Sequence, residues 1–575
     1  MTAYILYAIS FLIPIIIWWY RFTPITLPGV PHWSDGHILW GDLPRLRNIL
    51  QNNGSFTDFL DLSASTLGPI CQIRLGPFAH MVIITDYMEM ESLLLRRHQS
   101  LDRSSQTTSL FKTILTRALL TLKIGEVWRH HRRAMGSAMT PRFLALTMPN
   151  ITRSAQNLVR LWEKKIHMSR GRIWQAEKDL ESATMDAICG MAFGKSWGVV
   201  PSYIDQLGRI NTHTEGGPVE IGDRDELIFR LEAPDLAKNT WYIFKAVPVQ
   251  SPFPTFTHFF TRLKPNYLYH VKRIDDFLSG RLYEARQRIL TTSHEVASEV
   301  ADNTLDLLVG KGMQEGDEAM SDDEIKQELL QYRFFAGTET SSTTLAWWCK
   351  FMTNNPSIQT KLRGHLLERL PQDTDMNMNF DDLSPANVPY LEAVVHETLR
   401  MARTAGGFLR DSESNQGNPF NQDMMILGHH IPKGTTLAFP TSIGYQECSL
   451  VDHKRPKSPS TESHHTTDHD QKRRVGYWDY GTGHKFDPER WLTEDGRFNP
   501  IAGPNLPFSL GQRRCFGKNL ALLELKLFIA QLNLSFFFAP IPADQNRFDR
   551  LDNVISHPKD CFIRPITWTK RNASC

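Results

Sequence analysis

Hydrophobic and polar positions along most of this chain recur with the 3.6-residue period of amphipathic helices. Helix-like stretches dominate from about residue 140 onward. Strand-like apolar runs are few and short, and they occupy residues 70–75, 80–84, 425–427 and 435–440. The pattern therefore predicts a mainly α protein with a small β region, of the α+β class.

The N-terminus has a different pattern. Residues 3–20 carry no charge and end in Trp18, Trp19 and Tyr20, and Arg21 follows. A helix of that length is about 27 Å long, close to the roughly 30 Å hydrocarbon core of a bilayer. The first positive charge lies after the apolar run, which favours a cytosolic body. We predict a transmembrane anchor at residues 1–21. A buried helix is an open alternative, whereas a cleaved signal peptide would have a basic start and a small-residue cleavage site.

A proline-rich segment follows the predicted anchor. Pro24, Pro28 and Pro31 cannot continue a helix, so we interpret residues 22–34 as a stiff hinge. Residues 35–575 then form a single domain.

Composition narrows the class of protein. Of 575 residues, 41% are hydrophobic, which is enough to bury a large core and excludes wholesale disorder. Lys and Arg total 64 and Asp and Glu total 62, so the net charge of +2 gives no sign of nucleic-acid binding. Seven scattered cysteines without a CxxC pair exclude a disulfide scaffold and make a zinc ribbon improbable.

One long helix can be bounded from its caps. Ser321 and Glu324 form a capping box, and Pro356 forces an end near Asn354. In its middle, residues 338–344 contain six hydroxyl side chains in seven, and these side chains compete for backbone carbonyls. We predict a local distortion of the kind found at functional sites. A Thr-rich face packed on a neighbouring helix is the alternative.

Cys515 stands immediately before a strong amphipathic helix. Arg513 and Arg514 precede it, so positive charge and the helix dipole both favour the thiolate over the thiol. Gly511 allows a tight turn, and Gly517 allows a flat group to approach closely. A thiolate on such a loop suits an axial ligand of heme iron. The alternative is a free structural cysteine.

Several motifs together resemble the cytochrome P-450 superfamily across about residues 25–570. The pattern Phe508-x-x-Gly511-x-Arg513-x-Cys515-x-Gly517 resembles its heme-binding loop. Four other segments resemble further family motifs in the expected order: Trp128-x-x-x-Arg132, Ala336-Gly337-Thr338-Glu339-Thr340, Glu397-Thr398-Leu399-Arg400 and Pro488-Glu489-Arg490-Trp491.

The resemblance implies a heme b cofactor with Cys515 as the axial ligand of its iron. It places Thr340 and Glu339 in proton delivery during oxygen activation, and it makes the triad of Glu397, Arg400 and Arg490 a structural brace of the heme loop. The remaining residues that it assigns to the cofactor are Trp128, Arg132, Ala336, Gly337, Arg410, Phe508, Gly511, Arg513 and Gly517; the arginines and Trp128 are assigned to the propionates.

The implied activity is that of a monooxygenase, which inserts one oxygen atom from O2 into a small hydrophobic organic substrate. Electrons would come from NADPH through a separate reductase. A basic surface that attracts this reductase is one interpretation of Arg129, Arg133, Arg514 and Lys518, and an ordinary solvated basic surface is the other. We expect membrane lipid as a partner, an endoplasmic-reticulum location with a single span and a cytosolic catalytic domain, and a role in secondary metabolism. An isomerase or dehydratase acting without O2, and an inactive heme-binding protein, are the alternatives.

Two further segments carry expectations. Residues 453–474 are polar and low in complexity, and we predict a disordered insertion there. Residues 247–260 are rich in aromatic residues and proline, which is consistent with an access channel, with contact with a membrane surface, or with a loop packed on the core. By position in the family, substrate contacts are expected from residues 100–125, 205–260, 332–335, 405–408 and 554–557.

Overall fold

A computed structural model describes residues 26–569, with gaps at 38–39, 53, 77–79, 113, 210–218, 248–253, 292–300, 317–318, 332–336, 372–377, 414–423, 443–473, 480 and 553–554. The predicted anchor, Ala336 and nearly all of the predicted insertion lie outside the described residues. Within the described part of the chain, no helix combines the length and the apolar character needed to cross a bilayer.

The helices in chain order are α1 (Leu43–Gln51), α2 (Phe56–Leu67), α3 (Tyr87–Glu91), α4 (Ser105–Phe111), α5 (Glu126–Gly136), α6 (Pro141–Ser169), α7 (Glu177–Phe193), α8 (Val199–Gly208), α9 (Asp235–Lys245), α10 (Pro254–Arg262), α11 (Pro265–Thr291), α12 (Thr304–Glu315), α13 (Asp322–Leu330), α14 (Thr340–Asn354), α15 (Pro356–Arg369), α16 (Pro389–Ala402) and α17 (Lys518–Ser535).

The strands are β1 (Ile70–Arg74), β2 (His80–Ile84), β3 (Leu101–Arg103), β4 (Trp174–Gln175), β5 (Val219–Ile221), β6 (Leu227–Phe229), β7 (Gly407–Ser412), β8 (Met424–Ile426), β9 (His429–Ile431), β10 (Thr436–Pro440), β11 (Phe536–Phe538), β12 (Arg550–Asp552), β13 (Ser556–Pro558), β14 (Phe562–Ile563) and β15 (Pro565–Thr567).

The chain forms two compact units that are interleaved along the sequence. The first unit comprises residues 1–104, 406–483 and 503–513, and the second comprises 105–405, 484–502 and 514–575. The sequence-based single domain, residues 35–575, covers both units.

The first unit is built on a five-stranded sheet of order β1-β2-β10-β7-β3, in which β10 runs parallel to β2 and the other neighbours are antiparallel. Met81 and Ile83 of β2 pack beside Phe59 of α2, while Val82 and Ile84 join a second cluster with Leu437. Both faces of this strand are therefore buried, which is why it reads as a continuous apolar run rather than an alternating one.

The proline-rich segment lies on this first unit. Leu27 and Val30 are buried in the same core cluster as β10, and the Leu27 backbone N–H donates to the side chain of Gln72. Residues 26–34 are thus fixed to the sheet. The rest of the predicted hinge, residues 22–25, lies outside the described residues.

The second unit is a helical body with α14 at its centre. Residues 341–353 of this helix are all buried, among them Trp347 and Trp348, so it is enclosed on every side. Helices α7, α16 and α17 contact α14. Such a helix positions any functional group that it carries against several elements at once.

The segment predicted as one long helix begins and ends where the sequence predicts, but the structure describes it as two helices, α13 and α14. The Ser321 hydroxyl accepts from the Glu324 backbone N–H, and the Ser321 backbone N–H donates to the Glu324 carboxylate, which makes the capping box at the start of α13. Helix α14 ends at Asn354. Between the two helices, residues 337–339 form a π-helical turn. The predicted distortion is therefore confirmed at residues 338 and 339, whereas residues 340–344 of the hydroxyl-rich run are regular α-helix.

Candidate active site

Cys515 lies at the approach to α17, two residues before the N-cap residue Gly517. Its thiol is exposed, whereas the other described cysteines, Cys71, Cys189, Cys349 and Cys561, are buried. Burial raises the pKa of Cys71 to about 12, so that thiol stays protonated. Among the described residues, Cys515 is thus the one cysteine presented to an external group.

Helix α5 stands beside this loop in the second unit. The Arg132 guanidinium lies 4.9 Å from the ring centroid of Phe516 and 5.6 Å from that of Trp128. Both are cation–π distances. The contact with Trp128 follows from the i, i+4 spacing on one helix, whereas the contact with Phe516 comes from tertiary packing. Asn519 of α17 also donates to the carbonyl of Met139, just beyond α5. The two predicted propionate contacts therefore share a helix face next to Cys515.

The first unit holds a separate cluster of arginines. Arg513 donates through Nη2 to Asp102 Oδ1 at 2.6 Å, and Arg410 donates to the Arg513 carbonyl at 3.2 Å. Burial and the neighbouring Arg103 and Arg513 lower the pKa of Arg410, and Asp102 opposes them. Two guanidinium groups against one carboxylate thus act on the buried Arg410, so positive charge is in excess among them. That excess fits a dianionic group such as the two propionates of heme.

Gly511 is required by the protein itself. Its φ is +72°, and a Cβ at this position would overlap the carbonyl oxygen of Leu94. Gly517 differs, because its φ is −83° and no protein atom lies within 4 Å of a built Cβ. The constraint on Gly517 that the family resemblance implies would have to come from the bound cofactor.

We expect Gly511→Ala to lower the free energy of unfolding by about 1–3 kcal/mol, since it adds backbone strain and steric overlap. Gly517→Ala is the matched control and should change stability by less than about 0.5 kcal/mol. Thermal unfolding of the two variants and the wild type would measure this difference. Equal stabilities for the two variants would contradict it.

Glu397, Arg400 and Arg490 meet in the second unit. Glu397 accepts two bonds of 2.8 Å from Arg400, one of 3.1 Å from Arg490 Nε and one of 2.9 Å from Trp491 Nε1. The backbone N–H of Asp487 adds a fifth at 2.8 Å. The side chains of Glu397 and Arg400 are fully buried. Every lone-pair direction of this carboxylate is occupied, so the cluster holds the Pro488–Trp491 turn on α16.

Thr340 and Glu339 lie where the π-helical turn passes into α14. Thr338 accepts from the hydroxyl of Thr184 on α7 at 3.1 Å, which fastens the distorted turn to the neighbouring helix. Glu339 Oε1 lies 3.1 Å from His557 Nε2. Consecutive residues at this junction therefore carry a carboxylate and a hydroxyl, and Gly337 precedes them by two residues.

The structure adds partners that the motifs alone did not indicate. Asp102 pairs with Arg513, Trp491 donates to Glu397, and His557 pairs with Glu339. The sequence could have indicated Trp491, because it belongs to the Pro488–Trp491 motif and a buried indole N–H needs an acceptor. Asp102 and His557 lie 411 and 218 residues from their partners, and no local pattern marks them.

Comparison with known proteins identifies the family of this chain. The sequence profile described as cytochrome P-450 matches residues 31–447 and 479–563, and the interval between them contains the predicted insertion. A cytochrome P-450 monooxygenase of Pestalotiopsis microspora is 28% identical over 94% of both chains. The monooxygenase TRI13 of Fusarium sporotrichioides is 27% identical over 91% of this chain and 92% of its own.

A third relative, the Hps1-dma1 cluster cytochrome P-450 monooxygenase cyp3.1 of Dothistroma septosporum, is 29% identical over 52% of this chain and 98% of its own. The profile covers well over half of the chain. The motif residues lie in that matched region, from Trp128 to Gly517. The chain belongs to the cytochrome P-450 family and is an oxidoreductase of its monooxygenase kind.

Proposed function

We propose that this protein is a heme-thiolate monooxygenase that inserts one oxygen atom from O2 into a small hydrophobic organic substrate. The observation that carries the proposal is Cys515, exposed at the N-terminal end of α17 in a loop with the family's glycine and arginine pattern. Heme b held by this thiolate would supply the iron at which O2 is activated.

The side chains of the protein have distinct tasks in this proposal. The family resemblance assigns Trp128, Arg132, Arg410 and Arg513 to the propionates, whose negative charge the arginines would neutralise. Thr340 would orient water, and the Glu339 carboxylate would hold and pass protons toward the reacting oxygen. These roles are supported by the buried charge around Arg410 and by the placement of Glu339 in a distorted turn.

Electrons are proposed to come from NADPH through a separate reductase. Arg129 and Arg133 on α5, with Arg514 and Lys518 beside Cys515, are all exposed. A cluster of positive charge near the thiolate would steer an acidic partner to this side of the protein.

We also propose an endoplasmic-reticulum membrane location with a single N-terminal span and a cytosolic catalytic domain. The apolar sequence of residues 3–20 supports it. A second support is helix α10, on which Phe256 is 66% exposed and Phe259 is 60% exposed. Large apolar side chains in that state are typical of surfaces that contact lipid.

A role in secondary metabolism is proposed from the sources and names of the relatives. The fungal sources of the three relatives above, and the gene cluster in the name of one, support a specialised substrate. The substrate regions predicted from family position include Tyr332–Phe335, which lies outside the described residues, and the 554–557 turn, where His557 contacts Glu339.

The test uses the full chain in lipid vesicles with a fungal NADPH reductase, an extract of small fungal metabolites and 18O2. We expect products heavier by one 18O atom, formed only with NADPH and absent with Cys515→Ala. Products formed without 18O and without NADPH would replace the proposal with an isomerase or dehydratase. A protein that binds heme and consumes no NADPH with any extract would be the inactive family member.

A further inference from the structure

His557 bridges two carboxylates that come from different elements. Its Nε2 lies 3.1 Å from Glu339 Oε1, at the π-helical turn, and its Nδ1 lies 3.1 Å from Glu177 Oε1, in the first turn of α7. The His557 side chain is 15% exposed, whereas that of Glu177 is 41% exposed. The Glu339 side chain is itself 31% exposed. The three residues form a continuous polar chain from the exposed Glu177 through His557 to the carboxylate that precedes Thr340.

The imidazole is held in this place from several sides. Thr343 Oγ1 lies 2.9 Å from Nδ1, and Thr343 is four residues after Glu339, on the same face of the helix. The adjacent residue Ser556 is fixed through its backbone: its carbonyl accepts from Trp347 Nε1 at 2.9 Å and its N–H donates to Thr404 at 2.8 Å. The ring nitrogens therefore point reliably at their partners.

The charges around His557 favour its cationic form. Burial lowers the pKa of His557, but hydrogen bonds to Glu177 and Glu339 outweigh burial and raise the pKa to about 9. A third carboxyl, Glu181 on α7, faces the same cluster. Burial and the charges of Glu339 and Glu177 raise the pKa of Glu181 to about 7. The described charged groups at this place are thus three carboxyls and one imidazole.

We infer that Glu177, His557 and Glu339 form a proton relay from solvent to the active site, with His557 as the positioning and transfer residue for Glu339. In one cycle, Nε2 passes its proton to Glu339 Oε1, and tautomer exchange restores the N–H at Nε2. Glu177 then passes a proton taken from water to Nδ1. One proton moves from solvent to Glu339, and the imidazolium is restored. The inference rests on the proposed function, in which Glu339 supplies protons.

The alternative role is a purely structural ion pair that fastens β13 to α14. The two roles make different demands on the side chains. A structural contact needs hydrogen-bond partners, which glutamine provides at either position. A relay needs groups that gain and lose a proton in the working pH range, which glutamine cannot do.

The test uses His557→Gln, Glu177→Gln and the double variant in the heme-loaded full chain, with reductase and phosphatidylcholine vesicles. Asp235→Asn is the matched control, because Asp235 is an exposed acid in the first turn of another helix, α9. The readouts are the rate of NADPH-supported oxygen uptake, its pH profile in the range 6–10, and its solvent deuterium isotope effect.

We expect each single variant to slow oxygen uptake by about tenfold, with a larger isotope effect than the wild type. The double variant should be no slower than His557→Gln alone, because steps in series are not additive. The wild-type rate should hold up to about pH 9 and fall above it, whereas the variants should slow steadily as pH rises. The control should stay within about twofold of the wild type.

A readout independent of turnover is thermal unfolding against pH. The pKa of His557 is raised from 6.5 to about 9, so its stabilisation is fully present below pH 6.5 and is lost as the pH rises through 9. The wild type should therefore unfold at a higher temperature than His557→Gln at pH 6, and the difference should vanish by about pH 10. A pH-independent difference would overturn the cationic bridge.

Unchanged isotope effects in both single variants, or a double variant slowed by the product of the two single effects, would overturn the relay. The absorption spectrum of the reduced, carbon monoxide-treated preparations reports the thiolate separately. Wild-type protein without a red-shifted Soret band would overturn the proposed function. A normal band together with unchanged isotope effects would overturn the relay alone.

Discussion

Replacing Cys515 with alanine is expected to abolish the red-shifted Soret band of the reduced, carbon monoxide-treated protein and all NADPH-supported oxidation. The thiolate is the ligand that the proposed function cannot do without, because it donates electron density to the iron. In the structure, Cys515 stands beside Arg514 and ahead of α17, outside the buried core of the protein.

Cys71→Ala is the matched control for this variant. Its thiol is buried in β1, and burial raises its pKa to about 12, so it cannot act as a thiolate ligand. The control should retain the red-shifted band at some loss of stability, about 1 kcal/mol for one small buried group. Retention of the band in Cys515→Ala, or its loss in Cys71→Ala alone, would show that a residue other than Cys515 is the iron ligand. The folded state of both variants is checked by circular dichroism.

Parts of the site were predictable wherever two partners lie within one turn of a helix. Trp128 and Arg132 at i, i+4 and Glu397 and Arg400 at i, i+3 must share a face once the helix forms, and the structure places them so. The π-helical turn was predictable only in part: the hydroxyl-rich residues 338–344 indicated a weak place in the helix, but only residues 338 and 339 of that run lie in the turn.

Other partners were out of reach because the fold alone brings them together. Asp102 is supplied by a three-residue strand and pairs with Arg513 across 411 residues of sequence. His557 lies in the equally short β13. A lone aspartate or histidine in such a segment has no local feature that distinguishes it from a solvated one, and only tertiary packing assigns its partner.

The strands show the same limit. The predicted runs at 70–75, 80–84, 425–427 and 435–440 correspond to β1, β2, β8 and β10. Strands β1, β2 and β10 are each five residues long, and nearly all of their side chains are buried because both faces of the sheet are covered. The strands that were missed are mostly two or three residues long, too short for a period to be read.

Glu397→Gln is expected to lower the free energy of unfolding by about 3–5 kcal/mol, the second of the two largest effects. The replacement has the same shape but removes the charge that balances Arg400 and Arg490. The side chain of Arg400 is fully buried and that of Arg490 is only 7% exposed, so neither cation can turn to water without breaking the cluster. The amide nitrogen of glutamine would also face donors, since Arg400 and Trp491 both donate to the carboxylate.

The measurement is chemical unfolding of the full chain together with the heme bound per chain after expression. Glu489→Gln is the matched control, since Glu489 lies in the same turn, is 49% exposed and pairs with Lys361 at the surface, and the glutamine oxygen can keep the hydrogen bond with Tyr390. An exposed pair of this kind contributes about 0–1 kcal/mol. Arg400→Lys keeps the charge and loses the two-pronged contact, so its stability should fall between the two. If Glu397→Gln were as stable as Glu489→Gln, the buried carboxylate would not hold the turn on α16, and the heme loop would need another support.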